Sequence, residues 1–365
     1  MKDPRYNPLI LLSFLLIAVF SCGSNDDLPE SAPYWEAVEP AAVGLDATVL
    51  DDLRVKIGNN ELGKVSSLVI IKDGKLAYES YFGGMDADTP HLNYSVTKSI
   101  SAMAIGVLFD DSKIVELDVP ILSFFPDYPL NTLSNPDQRK QDITLRQTLQ
   151  MRAGFDWDEL GVPYTSSANP AVEIVGTNDW IRYVLDKPLS TDPGSRFAYN
   201  SGCTMLLSGV INQLTGETAS AYTKEKILDR LQITNYEWQE GPNEISNTGF
   251  GISLRPRDMA KIGQLMLNNG VWEGRQLLSG RWIAATFEPY TRFQGGYGYG
   301  YQWWNKTFTI NGLEKIIPYA HGYGDQMIYV IKDLNMVVVL TGENYNGEQS
   351  FEENIIQDFV IPAAG

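Results

Sequence analysis

The 365-residue chain is poor in cysteine and histidine, with two of each: Cys22 and Cys203, His91 and His321. A small exported domain held by a disulfide framework needs more cysteines, so no such framework is expected. Basic side chains are also scarce, 28 Lys and Arg against 45 Asp and Glu, a net charge of −17. Phosphate binding needs clustered cations and none occur, which argues against a nucleic-acid partner. The acidic surface reads as a solubility feature. No repeat with a period of about 20 to 50 residues is present. A βαβα alternation is missing too, so a doubly wound parallel sheet is not expected. What remains is a globular composition, 44% hydrophobic and 20% charged, sufficient for a well-buried core.

The one long apolar run, from Leu9 to Phe20, follows Lys2 and Arg5 and precedes Ser21 and Cys22. A charged stretch, an apolar stretch and a small-residue cleavage zone are the parts of an export signal. The run falls short of the roughly 20 residues that a membrane span needs, which leaves an uncleaved anchor as the lesser alternative. Val19-Phe20-Ser21-Cys22 resembles a bacterial lipobox. That resemblance implies loss of residues 1–21, a lipid on Cys22, and attachment to a membrane facing the periplasm or the cell surface. Residues 22–39 then read as a lipidated N-terminus and polar tether. Losing Lys2, Arg5 and Asp3 takes the 28 basic and 45 acidic residues to 26 and 44, a net of −18. With Cys22 lipidated, Cys203 has no intrachain partner and reads as a small buried residue.

Apolar residues alternate over 65–82 around Asp73-Gly74, a pair that favours a type I′ turn, so a β-hairpin is expected there. From Ser95 the apolar spacing becomes helical through Ile100, Met103 and Ile105. Further helical patterns fall at 145–151, 180–185, 203–214, 221–228 and 257–268, and strand patterns return at 300–305, 326–331 and 336–341. A short helix over 352–359 closes the chain. Strands at both ends around a helical middle predict an α+β domain over 40–365. Its single antiparallel sheet is built from N- and C-terminal segments and flanked by helices, with a mostly helical lobe inserted at about 110–290.

Three elements carry chemistry. Ser95-Val96-Thr97-Lys98 puts a hydroxyl and an amine on one helical face. Serine is a poor nucleophile without an adjacent base, and lysine serves as one when burial favours its neutral form. Helical first-turn N–H groups would also stabilise developing negative charge. A surface lysine on an amphipathic helix is the plain alternative, since Ser-x-x-Lys arises by chance about once in such a length. Tyr199-Asn200-Ser201 follows a Pro-Gly turn and precedes a helical pattern. There a phenol beside a cation could relay protons, or simply pack. Ala320-His321-Gly322-Tyr323-Gly324-Asp325-Gln326 leads into a strand, where small residues let backbone N–H groups approach an oxyanion. A glycine-rich turn with a structural histidine is its plain alternative. His91 reads as structural, and His321 fits either role.

In this order and spacing the three elements resemble the serine β-lactamase and penicillin-binding-protein superfamily, in its class C-like branch. Resemblance covers about residues 40–362, with support from the stretches at 149–157, 253–263, 297–304 and 322–326. The last two are most similar to the 6-aminohexanoate-dimer (nylon oligomer) hydrolases and related esterases. The resemblance implies Ser95 as nucleophile, Lys98 as general base and Tyr199 as proton shuttle to the leaving group. It implies an oxyanion hole from the N–H of Ser95 with that of Tyr323 or Gly324, and substrate contacts at His321, Gly322 and Ser201. Trp157, Tyr164, Tyr299 and Trp303-Trp304 are candidate cleft walls. No metal or organic cofactor is implied, and the substrate is a small or peptide-like ester or amide. Two departures stand out. Ser201 occupies the position where the family carries an amide, and Ala320-His321-Gly322 replaces Lys-Thr-Gly, removing the cation that holds a β-lactam or peptide carboxylate. A D,D-peptidase or β-lactamase, and a catalytically silent binding lipoprotein, are the alternatives.

Overall fold

The computed structural model describes residues 34–365; the expected export signal, Cys22 and most of the tether lie outside them. Eight strands form one antiparallel sheet. They are β1 (Val65–Lys72), β2 (Lys75–Tyr81), β3 (Thr291–Arg292), β4 (Tyr297–Tyr299), β5 (Trp304–Ile310), β6 (Leu313–Gly322), β7 (Gln326–Ile331) and β8 (Met336–Gly342). Their spatial order is β2-β1-β8-β7-β6-β5-β4-β3. Asp73 and Gly74 both take left-handed backbone, φ 51° and 75°, as the type I′ turn of the first hairpin requires. β1 pairs along β8, with Leu68 opposite Leu340 and Ile70 opposite Val338, so the sheet closes only when the two ends of the chain meet.

Helices α1 (Ala47–Gly58), α2 (Val96–Asp110), α3 (Ser201–Thr215) and α4 (Pro256–Leu267) complete the frame. α1 and the C-terminal segment 352–363 cover one sheet face. There Leu50, Leu53, Ile57, Ile356 and Val360 share a core with Leu68, Ile70, Met327, Tyr329 and Val338. α4 and α2 lie on the other face. α4 approaches closely because Gly263 has no side chain; a Cβ there would stand 2.5 Å from Val337 Cγ1 and 2.8 Å from Ile328 Cγ2. Cover on both faces explains why β1 and β8 are continuous apolar runs rather than alternating ones.

Of the strand expected over 300–305, only Trp304 and Asn305 lie in one, β5, and residues 300–303 form the connection from β4. Gly300 presses against the Thr286 carbonyl, where a Cβ would come within 2.0 Å. The Tyr301 and Gln302 N–H groups leave the sheet to bond Thr286 O (3.1 Å) and Leu149 O (3.2 Å). β6 escaped the sequence reading because a polar start and Pro318 obscure its pattern. The middle region also holds an unforeseen three-stranded sheet of His91–Leu92, Ile252–Leu254 and Tyr236–Trp238. Its strands are too short for a period to register.

Candidate active site

Tyr94 leads into α2 with a left-handed φ of 45°, and Ser95 follows at the N-cap position. A serine there ordinarily turns its hydroxyl onto the first-turn N–H groups. Ser95 makes no such cap. Its Oγ instead meets Lys98 Nζ at 3.0 Å, one helical turn on. Lys98 is 1% exposed, and its amine donates further to Ser201 Oγ (2.8 Å) and to the Gly249 carbonyl (2.9 Å). Burial pulls its pKa down to about 8, while the Glu159 carboxylate pulls the other way. An amine that titrates near neutrality can act as a base.

Tyr199 is buried, with its ring centroid 4.8 Å from Lys98 Nζ and stacked on Trp304 at 5.7 Å. Burial pushes the phenol well up, Glu159 adds to this, and a side-chain contact with Ser95 opposes both. It is therefore a neutral O–H at pH 7, able to donate. Asn200, which separates Tyr199 from Ser201, caps α3 by accepting from the Cys203 N–H at 3.0 Å. That leaves Ser201 to face Lys98. Cys203 is a free, buried thiol.

Glu159 is the residue that sequence reasoning missed. Its Oε2 accepts from the Ser201 N–H (2.7 Å) and Trp157 Nε1 (2.8 Å). Its Oε1 accepts from the Ser201 hydroxyl (2.7 Å) and the Tyr164 hydroxyl (3.0 Å). Carboxylate at the N-terminus of α3 is favoured by the helix dipole. Nothing in the run Asp156-Trp157-Asp158-Glu159 distinguishes this acid from its exposed neighbours except the fold itself.

The remaining candidates divide. Gly322 lies directly against the segment that leads to Ser95, where a Cβ would stand 2.1 Å from the Asn93 carbonyl oxygen. This brings the turn after β6 beside Ser95. The Tyr323 ring packs on Tyr94 (5.6 Å) and Tyr164 (4.9 Å), whereas Gly324 bridges to Asn344 and abuts Tyr345. His321 lies on the other side of the sheet. It pairs with Met327 in β6–β7 and sits 6.3 Å from the Tyr319 ring, on the face covered by α1 and the C-terminal segment. Burial lowers its pKa against the pull of Asp325 and Glu353. Strand alternation turns its side chain away from α2. Trp157 is buried behind Glu159, and Trp303 is fully buried against Phe287. Tyr299 is buried behind Tyr199. Trp304 and Tyr164 stay half-buried at the site.

A depression of about 500 Å³ lies on the short sheet next to the segment that leads to Ser95, lined by the apolar Leu92, Tyr94, Trp238 and Phe250 together with Glu237, Gln239 and Ser253. Its position follows from the short sheet: Tyr94 adjoins Ser95, and Phe250 adjoins Gly249 with its ring 5.9 Å from Lys98 Nζ.

A serine opening a helix that packs on an antiparallel sheet, with lysine and tyrosine against its hydroxyl, belongs to a class of serine hydrolases with a β-lactamase-like fold. The profile of the Beta-lactamase family matches residues 64–360, and the chain belongs to that family. It is 26% identical over 304 residues to the 6-aminohexanoate-dimer hydrolase of Paenarthrobacter ureafaciens, covering 73% of this chain and 71% of that protein. Solved structures share the fold at lower identity. A family VIII carboxylesterase aligns with TM-score 0.66 at 15% identity, over 87% of this chain and 95% of its own. The octameric penicillin-binding protein homologue from Pyrococcus abyssi aligns with TM-score 0.63 at 19% identity, over 84% and 74%.

Proposed function

We propose that the protein hydrolyses an ester or amide through an acyl-enzyme on Ser95. The observation that carries this reading is the 3.0 Å contact between Ser95 Oγ and a buried Lys98 amine whose pKa is lowered to about 8. Neutral Lys98 takes the Ser95 proton as the oxygen attacks the substrate carbonyl. The N–H of Ser95 and that of Tyr323 or Gly324 hold the oxyanion. Tyr199, its proton replenished from the Lys98 ammonium, protonates the departing alkoxide or amine. Water then attacks the acyl-enzyme and returns Ser95 to its hydroxyl.

The depression lined by Leu92, Tyr94, Trp238 and Phe250 favours an apolar or aromatic arm on the substrate. Ala320 offers no cation for a carboxylate, which ranks β-lactams and peptidoglycan stems below neutral esters and amides. A fluorophosphonate probe should label folded wild type at Ser95 and leave Ser95→Ala unlabelled. The same pair, assayed on p-nitrophenyl esters, nitrocefin and linear amide oligomers, reads out the substrate class. Failure to label wild type while a control esterase is labelled would overturn the mechanism. The lipobox-like start further supports export with lipid on Cys22; metabolic labelling with a tagged palmitate, lost in Cys22→Ser, tests that.

A further inference from the structure

We propose that Glu159, acting through Ser201, is the positioning residue that aims the lone pair of neutral Lys98 at Ser95. This rests on the reading of Ser95 and Lys98 as the reacting pair and follows from valence. An ionised carboxylate has no hydrogen to give. The Ser201 hydroxyl, 2.7 Å from Glu159 Oε1, must therefore donate to it. Having spent its only hydrogen, Ser201 Oγ can only accept from Lys98 Nζ at 2.8 Å. The Gly249 carbonyl at 2.9 Å is also an acceptor only. Two of the three substituent positions on Nζ are thereby committed to N–H. The third, which faces Ser95 Oγ at 3.0 Å, holds a proton in the ammonium and the lone pair in the neutral amine. Proton abstraction needs that lone pair on that side.

Four donors surround Glu159, which suits an acceptor-only carboxylate and keeps the chain running from Lys98 through Ser201 to Glu159. Oε2 receives two N–H donors, from Ser201 and Trp157, and Oε1 receives the hydroxyls of Ser201 and Tyr164. Glu159→Gln exposes the dependence. Its amide oxygen must stay with those two N–H groups, which turns the NH2 toward Ser201 Oγ. Ser201 then accepts from the amide, and its own hydrogen points at Lys98, occupying the lone pair that Ser95 requires. The volume of the side chain is unchanged, so the effect is one of polarity.

Other titratable groups face this network. They are Tyr164 from the same loop as Glu159, Tyr199 and Cys203 at the start of α3, and Tyr299 from β4. Burial raises the pKa of each, so all stay neutral across the range in which Lys98 titrates. Glu159 supplies the negative charge that favours the Lys98 ammonium. Removing it lowers the Lys98 pKa and moves the acidic limb of the kcat/KM profile to lower pH, even as the rate falls.

The test compares wild type, Ser95→Ala, Glu159→Gln and Ser201→Ala on one p-nitrophenyl ester from pH 5 to 10, with thermal melts to establish folding. Glu159→Gln should lose about 100-fold in kcat with KM within about threefold, and its acidic limb should move to lower pH. Ser201→Ala leaves Glu159 with its Trp157, Tyr164 and main-chain donors, and removes one acceptor from Lys98. It should lose kcat in the same sense, also with the limb displaced downward, and it decides the matter if Glu159→Gln does not fold. A folded variant with kcat within threefold of wild type, or one that loses rate with its acidic limb unmoved, overturns the proposal. If wild-type turnover persists in Ser95→Ala, the acyl-enzyme reading itself fails. If turnover depends on Ser95 but both other variants match wild type, only the role of Glu159 fails.

Discussion

The Gly249 carbonyl oxygen accepts from Lys98 Nζ at 2.9 Å, across 151 residues of sequence. It holds the amine of α2 against a loop of the middle region, where burial lowers the Lys98 pKa to about 8. Lys98 must be neutral to act as base, and it is protonated below that pKa. Activity on a neutral ester should therefore fall about tenfold per pH unit below 8 and level off above it. A pH–rate profile of kcat/KM checks this.

Tyr199 has only one polar atom to offer, and its ring is held by Trp304 and Tyr299. Tyr199→Phe keeps that packing and deletes the proton donor to the leaving group. The expected outcome is a loss in kcat of about 10²- to 10⁴-fold with an unchanged melting temperature. Leaving groups that need no protonation, such as p-nitrophenolate, should suffer least. Steady-state kinetics over a series of leaving-group pKa values would reveal the gradient.

Trp238 is half-buried on a short edge strand and lines the depression without touching Ser95 or Lys98. Trp238→Ala should raise KM for esters with a long or aromatic arm by about tenfold. Acetyl esters, too short to reach it, should be little changed. Comparing KM across acyl-chain lengths measures the difference.

Gly263 lets α4 touch the sheet, and Val337 Cγ1 would lie 2.5 Å from any Cβ there. Gly263→Val forces α4 off β7 and β8 and should cost about 2–3 kcal/mol by overpacking. Denaturant unfolding of the two proteins gives the value.

Several features were legible before any coordinates. The Asp73-Gly74 hairpin, the helix opening at Ser-x-x-Lys and the strands at both termini all follow from short-range patterns whose physical cause is local. Where His321 and Trp157 face was not legible, because residue type says nothing of facing. One lies on the α1 side of β6 and the other behind Glu159. Glu159 was invisible for the opposite reason. It is one acid in an acidic loop, and burial against α3 makes it different.

The pairing of hydroxyl and amine is local in origin, because helix spacing puts Lys98 one turn from Ser95 wherever that helix lies. Their surroundings come from distant segments. Only the packing of α2 against α3 and of the 249–250 loop against both removes water from the Lys98 amine. Only there do Ser201, Gly249 and Glu159, drawn from three separate segments, fix where its protons point. Desolvation and hydrogen-bond direction belong to the assembled site, and no local run of residues encodes them.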